Sequence, residues 1–528
     1  MLDQQQSLSA VEKFAQRHEC ETEPALRSHY KELIPHGPPE AGEQYAFEVD
    51  LDSCSGCKAC VAACHNLNGL ETDELWRNVG LLVGGTQEKP AVQHVTAACH
   101  HCLEPACMHG CPVNAYEKDA VTGIVEHLDD QCIGCKYCMF MCPYDVPVYS
   151  PSKGIVRKCN MCIDRLSVGE APACVQSCPH EAIKIRKVSR DQVIENSETQ
   201  QLVPGAPDMG ITLPTTMYKT DRALPANLLP TDYYIAKPLH AHFPLVFMLV
   251  LTQASLGIFG MAWILECFWP AASTTALLIM NFVAAGFLVA GLGVAILHLG
   301  RPFKAYRAMA GIKHSWLSRE IAGFNLFAGA ASTLLAWKWF DLSFVTGFDS
   351  GWISLNVLGS GVIAVGCSAM LYIVTKRPLW TAFRTFSFFF MTTVVLGLAI
   401  GTTWLPWLIS ESQYRAELIV KDLMVATAIK LFLEASVFSH LNSIRFTPWR
   451  HAARLMAGEM LKPTAIRFAL AVAGGILLPL VLLTQNATGG TFFAVSILSA
   501  LLLFGGELLE RYLFFSVSVA RKMPGAPN

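Results

Sequence analysis

The run from Cys132 to Pro143, Cys-Ile-Gly-Cys-Lys-Tyr-Cys-Met-Phe-Met-Cys-Pro, constrains this chain more than any other stretch. Its spacing, C-x2-C-x2-C-x3-C-P, is typical of loops in which three thiolates bind one [4Fe–4S] cube and the fourth binds a second cube. A zinc ribbon would instead carry its cysteines in pairs. The trailing Pro143 needs no partner for a backbone N–H where the chain turns away. The run therefore predicts an iron–sulfur protein with at least one further cluster.

Three more sets of four cysteines occur before Pro179, so sixteen of the 19 cysteines fall in four sets. Disulfides rarely occur as C-x2-C runs, which makes metal ligation the better interpretation. Four sets predict four [4Fe–4S] clusters, and Cys20, Cys267 and Cys367 are interpreted as packing residues. The sets are Cys54, Cys57, Cys60 and Cys64; Cys99, Cys102, Cys107 and Cys111; Cys132, Cys135, Cys138 and Cys142; and Cys159, Cys162, Cys174 and Cys178.

The surrounding pattern predicts an α+β double ferredoxin-like domain over residues 45–186, after a polar N-terminal arm over residues 1–44. Alternating apolar and polar residues at Tyr45–Leu51 predict a strand, and strand-like stretches at Gly123–His127 and Ala182–Ile185 follow cysteine sets. Because the fourth cysteine of each set binds the cluster of another set, the sets are expected to form pairs. Pairing the middle two and the outer two places one ferredoxin module inside another.

The C-terminal part is a predicted membrane anchor over residues 238–528, reached through a Pro-rich linker over residues 187–237. The chain of 528 residues is 52% hydrophobic and 16% charged, and the apolar excess lies in this part. A net charge of −2 gives no basic surface for nucleic acid. Eight apolar runs predict an all-α bundle of eight transmembrane helices. They are residues 243–265, 274–297, 320–340, 353–375, 380–404, 418–441, 464–485 and 491–514.

Basic residues in the loops predict the orientation of this bundle. The loops after the second, fourth and sixth runs are rich in Lys and Arg, whereas the opposite loops contain only Lys338 and Arg415. The positive-inside rule then places these loops, both termini and the iron–sulfur domain in the cytoplasm, at the inner membrane. The N-terminal residues show no export signal. The basic residues are Arg301, Lys304, Arg307, Lys313, Arg319, Lys376, Arg377, Arg445, Arg450, Arg454, Lys462 and Arg467.

The nested pattern of four sets resembles the four-cluster electron-transfer subunit of the dimethyl sulfoxide reductase family of molybdenum enzymes, over roughly residues 45–185. Three stretches, His298–Pro302, Ser315–Ile321 and Gly506–Arg511, resemble the eight-helix membrane anchor subunit of the same family. The resemblance implies four ligand sets, which are Cys54, Cys57, Cys60 and Cys178; Cys159, Cys162, Cys174 and Cys64; Cys99, Cys102, Cys107 and Cys142; and Cys132, Cys135, Cys138 and Cys111.

The resemblance also implies a quinone site at His298, Arg301 and Glu320, since that family exchanges electrons with quinone without haem. A histidine and a carboxylate at the membrane edge can move the protons that accompany quinone turnover. The alternative is that His298 caps one helix and Glu320 complements the dipole of the next. No haem is expected, because the histidines of this part lie near the helix ends rather than at span centres.

Some charged residues have a second, structural interpretation. Lys58, Lys136, Arg157 and Lys158 lie beside cluster ligands and either favour cluster reduction or form a solvated face. Two pairs at i,i+4 spacing in the membrane part, Lys430 with Glu434 and Glu507 with Arg511, predict ion pairs within single helices.

Together these features predict an electron-transfer and membrane-anchor subunit that does not itself act on the substrate. The resemblance implies a separate molybdopterin catalytic subunit, and electrons would pass between it and menaquinone or ubiquinone. Cytoplasmic orientation favours sulfite:quinone oxidoreduction, and reduction of dimethyl sulfoxide, other S- or N-oxides, or nitrate is the alternative. A self-contained ferredoxin:quinone oxidoreductase or ion pump without molybdenum is an alternative of another class.

Overall fold

A computed structural model of the chain describes residues 27–235, 237–269, 272–341, 350–408, 413–444, 447–484, 489–518 and 523–525. Three single residues nearer the N-terminus, Glu12, Gln16 and Cys20, are also described. Most of the N-terminal arm predicted over residues 1–44 lies outside the described residues, as does the basic residue Arg445.

Ten strands of the described chain form the framework of the N-terminal half. They are β1 Glu43–Asp50, β2 Asn78–Gly85, β3 Pro90–Ala97, β4 Tyr116–Lys118, β5 Val125–His127, β6 Val148–Ser150, β7 Ile155–Arg157, β8 Ile183–Ser189, β9 Met217–Lys219 and β10 Leu229–Pro230. In one sheet, β1 pairs antiparallel with β8 and parallel with β9. In the other, β2 pairs antiparallel with β3 and β10. Two hairpins, β4–β5 and β6–β7, complete the framework.

Short helices occupy the connections between these strands. They are α1 Arg27–Tyr30, α2 Ala59–Leu67, α3 Ala106–Gly110, α4 Tyr137–Met141, α5 Ile163–Ser167, α6 Ala173–Gln176 and α7 Arg190–Thr199. Cysteines of the four sets lie on α2, α3, α4 and α6. Phe47 of β1 pairs with Ile185 of β8, and both side chains are buried in a core that also contains cysteines. The strands therefore serve as a support for the cysteine loops.

The segment suggested as a linker, residues 187–237, contains part of this framework. It supplies α7 and the two short strands β9 and β10, each of which extends a sheet of the iron–sulfur half. Strands of two or three residues between prolines are too short to give a periodic pattern, so the sequence did not indicate them.

The C-terminal half of the described chain is helical. Its helices are α8 Phe243–Phe268, α9 Thr274–Ile296, α10 Trp316–Trp339, α11 Ser350–Ile373, α12 Ala382–Leu408, α13 Gln413–Ala435, α14 Pro448–Ala457, α15 Leu461–Val472, α16 Leu478–Thr484 and α17 Gly489–Ser516. A π-helical turn at Ala473–Leu477 joins α15 to α16. Helices α8 and α12 cross where Gly257 meets Gly397, because a Cβ atom on Gly257 would lie 2.1 Å from the carbonyl oxygen of Thr393. Small residues at such crossings are typical of membrane helices.

Six stretches of the described chain are long and apolar enough to cross a membrane. They are α8, α9, α11, α12, α17 and the continuous stretch Leu461–Thr484. The other two long helices are α10, which contains Arg319 and Glu320, and α13, which contains Lys430 and Glu434. The protein is therefore a multi-pass membrane protein, while the count of eight spans stays a prediction.

Four charged side chains buried among α13, α15 and α17 pair between helices, namely Lys430, Glu434, Arg467 and Glu507. Arg467 donates to the two carboxylate oxygens of Glu434 at 2.7 and 3.1 Å and to Glu507 at 2.9 Å. Lys430 forms a second ion pair with Glu507. The pairs predicted within single helices, Lys430 with Glu434 and Glu507 with Arg511, are therefore wrong. The i,i+4 rule describes exposed helix surfaces, and these side chains instead face neighbouring helices.

The connection between α9 and α10 packs directly on the third cysteine set. The backbone N–H of Arg301 donates to the carbonyl oxygen of Ile133 at 3.0 Å, and that of Gly300 donates to Gly134 at 3.3 Å. A Cβ atom on Gly300 would lie 2.2 Å from the carbonyl oxygen of Gly154, so only glycine allows this approach. Backbone contacts thus join the membrane half to the iron–sulfur half.

Candidate iron–sulfur and quinone sites

The first and third cysteine sets have the same local conformation. Both contain the pattern C-x-G-C-K-x-C, and a short helix begins directly after the lysine. Gly56 and Lys58 have φ angles of 75° and 62°, and Gly134 and Lys136 have φ angles of 68° and 60°. Glycine adopts this left-handed conformation readily, and other residues adopt it as single positions in tight turns. The repeated turns bend each loop around an interior cavity.

The sixteen thiols lie in four groups, each joining three cysteines of one set to the last cysteine of another. Groups 1, 3 and 4 each line a cavity. In group 2, the thiol of Cys64 faces the other three members. These groups coincide with the implied ligand sets, and ligation itself stays a prediction. Group 1 is Cys54, Cys57, Cys60 and Cys178; group 2 is Cys64, Cys159, Cys162 and Cys174; group 3 is Cys99, Cys102, Cys107 and Cys142; and group 4 is Cys111, Cys132, Cys135 and Cys138.

Four thiols around a cavity fit an iron–sulfur cluster better than a single metal ion. No three Cys, His, Asp or Glu side chains of the described residues converge closely enough to hold one ion. Burial raises the pKa of the Cys107 thiol to about 12, so its thiolate form would need the positive charge of bound iron. Backbone N–H groups donate to the sulfur atoms of Cys111 at 3.2 Å and Cys132 at 3.4 Å. Such N–H···S bonds are among the contacts that set cluster potentials.

The four groups follow one another in a single series. Group 1 adjoins group 2 through Cys60 and Cys174, and group 2 adjoins group 3 through Cys159 and Cys99. The buried ring of Tyr116 lies between groups 3 and 4. Group 4 lies against the connection between α9 and α10, so the series ends at the membrane half.

Arg77 is a buried cation that the amino-acid sequence did not indicate. Its side chain is 2% exposed, lies over the ring of Phe47 at 4.6 Å and donates to Thr96 Oγ1 at 3.2 Å. The negative charges that face its guanidinium belong to cysteines of groups 1 and 2. A buried cation needs a counter-charge, which thiolate-bound centres on both sides would supply. A lone arginine after Glu74 resembles a surface residue, so no sequence signal could have found it.

Of the four basic residues expected beside the ligands, one is fully enclosed. The ammonium group of Lys158 is buried and donates to backbone carbonyl oxygens, including that of Cys159 at 2.9 Å. Arg157 forms an ion pair with a buried glutamate at 3.1 Å, and Lys136 lies over a tyrosine ring at 4.1 Å. Lys58 is exposed. Lys158 is therefore the member of this set best placed to act on a cluster.

Two histidines join group 4 to the membrane half. His298 Nε2 lies 3.0 Å from the carbonyl oxygen of Cys135, and His314 Nε2 lies 3.1 Å from that of Cys111. Burial, together with the nearby Lys136, lowers the pKa of His298 to about 4. The ring is then neutral at pH 7, and the carbonyl partner assigns its proton to Nε2. A neutral ring contributes little to a helix dipole, which disfavours the capping interpretation of His298.

The other two predicted quinone-site residues have different environments. Arg301 Nη1 donates to the carbonyl oxygen of Asp129 at 2.8 Å. Glu320 is buried in α10, where its carboxylate accepts a hydrogen bond from a serine of α11 at 2.5 Å. Within the described residues, no hydrogen bond or ion pair joins any two of His298, Arg301 and Glu320. His298 and Glu320 instead both adjoin the group 4 loop, the latter through Tyr137.

Two protein families match the chain, one in its polar N-terminal half and the other in its apolar C-terminal half. Residues 91–188 match the family described as 4Fe-4S dicluster domain. Residues 238–517, more than half of the chain, match the family described as DMSO reductase anchor subunit (DmsC).

Curated relatives match the iron–sulfur half. The B subunit of anaerobic dimethyl sulfoxide reductase from Haemophilus influenzae is 34% identical over 189 residues, which are 34% of this chain and 91% of the relative. The protein of the same name from Escherichia coli is 34% identical over 206 residues, covering 37% of this chain and 97% of the relative. The formate dehydrogenase-O iron-sulfur subunit of Escherichia coli is 34% identical over 158 residues, which are 27% of this chain and 52% of the relative.

Proposed function

Because the chain belongs to the dimethyl sulfoxide reductase family and joins an iron–sulfur subunit to a DmsC-type anchor, we propose that it relays electrons between a separate molybdopterin catalytic subunit and quinone. The relay would consist of four [4Fe–4S] clusters. The contact between His298 Nε2 and the carbonyl oxygen of Cys135, at 3.0 Å, supports this proposal most directly. It puts the last thiol group of the series against the candidate quinone residue.

The sixteen cysteines of groups 1 to 4 would hold these clusters, four thiolates to each. When bound, the clusters supply one-electron carriers. The chain supplies thiolate ligands, backbone N–H donors to sulfur and a core that excludes water. Arg77 would add positive charge beside groups 1 and 2, and Lys158 would add it beside group 3. Such charge favours the reduced, more anionic form of a cluster.

The quinone, menaquinone or ubiquinone, would bind where α9 and α10 meet the group 4 loop. Reduction of quinone takes up two electrons and two protons, and oxidation of quinol releases them. Because Nε2 of His298 is engaged by Cys135, its Nδ1 is the nitrogen available to a quinol hydroxyl. Glu320, held by a hydrogen bond from α11, would exchange the second proton. Arg301 would hold the connection in place through Asp129.

For the orientation, we propose that the iron–sulfur half and both termini face the cytoplasm, with eight helices spanning the inner membrane. The basic connection between α9 and α10 lies on the iron–sulfur half: Lys304 and Arg307 donate to the carbonyl oxygen of Asp130 at 3.1 and 3.0 Å. The loop and the iron–sulfur half therefore share one side of the membrane, which the positive-inside rule assigns to the cytoplasm.

The catalytic partner most in keeping with that orientation oxidises sulfite, so we propose a cytoplasmic sulfite:quinone oxidoreductase complex. Reduction of dimethyl sulfoxide, other S- or N-oxides, or nitrate is the alternative, and the names of the relatives favour the first of these. A fusion to a reporter that is active on only one side of the membrane tests the orientation. A periplasmic position of residues 1–235 would overturn both the topology and the preference for sulfite.

Metal analysis of the complex, purified in mild detergent from its own membranes, tests the proposed assembly. Four clusters predict about sixteen irons for each copy of this chain, together with molybdenum and a co-purifying catalytic subunit. Iron at that level without molybdenum or a second subunit would instead support a self-contained ferredoxin:quinone oxidoreductase.

A further inference from the structure

A cavity lies among α12, α13, α14 and α17 in the membrane half. Its lining is mostly apolar and aromatic, but Arg384, Glu434 and Glu510 also contribute to it. Trp380, another lining residue, contacts Phe140 of α4, with the ring centroids 5.9 Å apart. The cavity is therefore at the edge of the bundle that meets the iron–sulfur half, and none of the candidate quinone residues described above is among its lining residues.

One carboxylate at this cavity differs from its buried neighbours. Glu434 and Glu507 are both held by direct hydrogen bonds from Arg467. By contrast, both carboxylate oxygens of Glu510 are buried and lack a hydrogen-bond partner among the described residues. The nearest cation, Arg511, is 3.4 Å away. Burying a charged carboxylate without hydrogen bonds is unfavourable, and protonation removes that penalty.

The charges around Glu510 come from every long helix that borders it. Arg384 on α12, Arg467 on α15 and Arg511 on α17 favour its charged form, as does Lys430 on α13. Glu434 and Glu507 oppose it. The lining residue from α14 is the uncharged Met456. The Glu510 carboxylate is thus attracted by the cations and repelled by the two glutamates, and no hydrogen bond fixes its protonation state.

We propose that Glu510 is a proton-exchange site, which passes protons between the cavity and the quinone site near Glu320. Tyr372 lies between the two regions, because it is within electrostatic reach of Glu320 and of Arg511, the residue that follows Glu510. The Tyr372 ring also packs on Phe514 of the cavity lining, at 5.3 Å.

The proposal rests on the quinone reaction proposed above and assigns the route of its protons. Each quinone reduced takes two electrons from the relay and two protons from water, and each quinol oxidised returns both. Glu510 gains one proton and then loses it, so no bond other than O–H changes and no other reactant is needed. Oxidation state changes only at the quinone and in the relay.

The test compares Glu510→Gln with Glu510→Asp in the complete complex, in its own membranes. Gln keeps the size of the side chain and removes the exchangeable proton, whereas Asp keeps the carboxyl group. We expect Gln to lower kcat of quinol-linked turnover by at least about tenfold, since proton transfer by a placed side chain contributes that much or more. KM for quinol, dye-linked turnover and iron content should be unchanged. Asp should restore most of the rate with a shifted pH profile.

Asp422→Asn is the matched control, because Asp422 is an exposed carboxylate on α13 outside this network. It should behave as the unsubstituted complex does. A wild-type kcat and pH profile in Glu510→Gln would overturn the proposal, and a raised KM would show that the cavity binds quinone instead. Loss of dye-linked turnover or iron in Glu510→Gln would show a structural role.

Infrared difference spectra give a second measurement on the assembled complex. On quinol addition, the unsubstituted protein should show a carboxyl band that Glu510→Asp shifts, and an unshifted band would contradict the proposal. If the unsubstituted complex turns over with neither quinone nor quinol, it is the proposed quinone function that fails.

Discussion

His298 Nε2 and the carbonyl oxygen of Cys135 are 3.0 Å apart, and this contact links the end of α9 to a thiol group. The backbone N–H of Arg301 makes a second contact with the same loop, at Ile133. A quinone that contacts the His298 ring would therefore be separated from group 4 by one hydrogen-bonded residue. Four consequences of this arrangement and of the buried charges can be measured.

Replacing His298 with Gln should strongly reduce quinol-linked turnover, while turnover with a soluble dye that donates electrons directly should persist. Loss of a positioned hydrogen-bonding group predicts a decrease of about a hundredfold in quinol-linked kcat. Steady-state assays with both donors measure the ratio. Normal quinol-linked activity in this variant would exclude His298 from the site.

His314→Gln is the matched control for that variant, since His314 makes the same kind of hydrogen bond to Cys111. It should keep quinol-linked turnover. An equal loss in both variants would mean that these histidines only dock the two halves on each other.

Replacing Cys135 with Ser should remove or convert one cluster and leave three, because Cys135 belongs to group 4 alone. Low-temperature EPR of the reduced complex should lose or change the signal of the cluster nearest the membrane. Cys367→Ser, outside the four groups, should leave the spectrum as it is. An unchanged spectrum in Cys135→Ser would contradict the assignment of group 4.

Replacing Gly300 with Ala should weaken the junction between the two halves. The added Cβ would lie 2.2 Å from the carbonyl oxygen of Gly154, a backbone atom that cannot move aside alone. We expect destabilisation of about 1–3 kcal/mol, as for other forced contacts in packed interiors. Thermal unfolding in detergent measures it. Gly293→Ala, where a Cβ meets nothing within 4 Å, is the control, and equal melting of the two variants would argue against a tight junction.

Replacing Arg77 with Met should lower the reduction potentials assigned to groups 1 and 2. Removing a buried positive charge a few ångströms from a cluster changes its potential by something on the order of 100 mV. Redox titration followed by EPR measures each potential, and the clusters of groups 3 and 4 serve as internal references. Arg77→Lys keeps the positive charge, so it should leave the potentials of groups 1 and 2 close to those of the unsubstituted complex. Uniform shifts of all four potentials would show a general structural change instead.

Local structure could be predicted from the amino-acid sequence where the spacing of residues determines it. The C-x-G-C-K-x-C loops at Cys54–Cys60 and Cys132–Cys138 share one backbone conformation because the glycine and the lysine two residues later occupy the same left-handed positions. Apolar runs likewise predicted long helices, since a helix that faces lipid needs an uninterrupted apolar surface.

Contacts between elements that are far apart along the chain could not be predicted from the sequence. Arg77 follows the acidic stretch Glu71–Glu74 along the sequence by three residues but faces thiols in space, and the sequence did not indicate that contact. Lys430 pairs with Glu507 on α17 rather than with a residue one turn away, because the partner is chosen by helix packing. Glu510 went unnoticed for the same reason, since its isolation depends on Arg467 binding its neighbours.

The central proposal is that quinone exchanges electrons with the relay through group 4, and freeze-quench EPR tests this most directly. Oxidised complex is mixed with quinol in the absence of oxygen and frozen at times shorter than one turnover. The signal that Cys135→Ser removes should appear first, and Glu320→Gln should prevent its appearance. Reduction of another cluster before this one, or an unchanged rate in Glu320→Gln, would contradict quinone oxidation at this site.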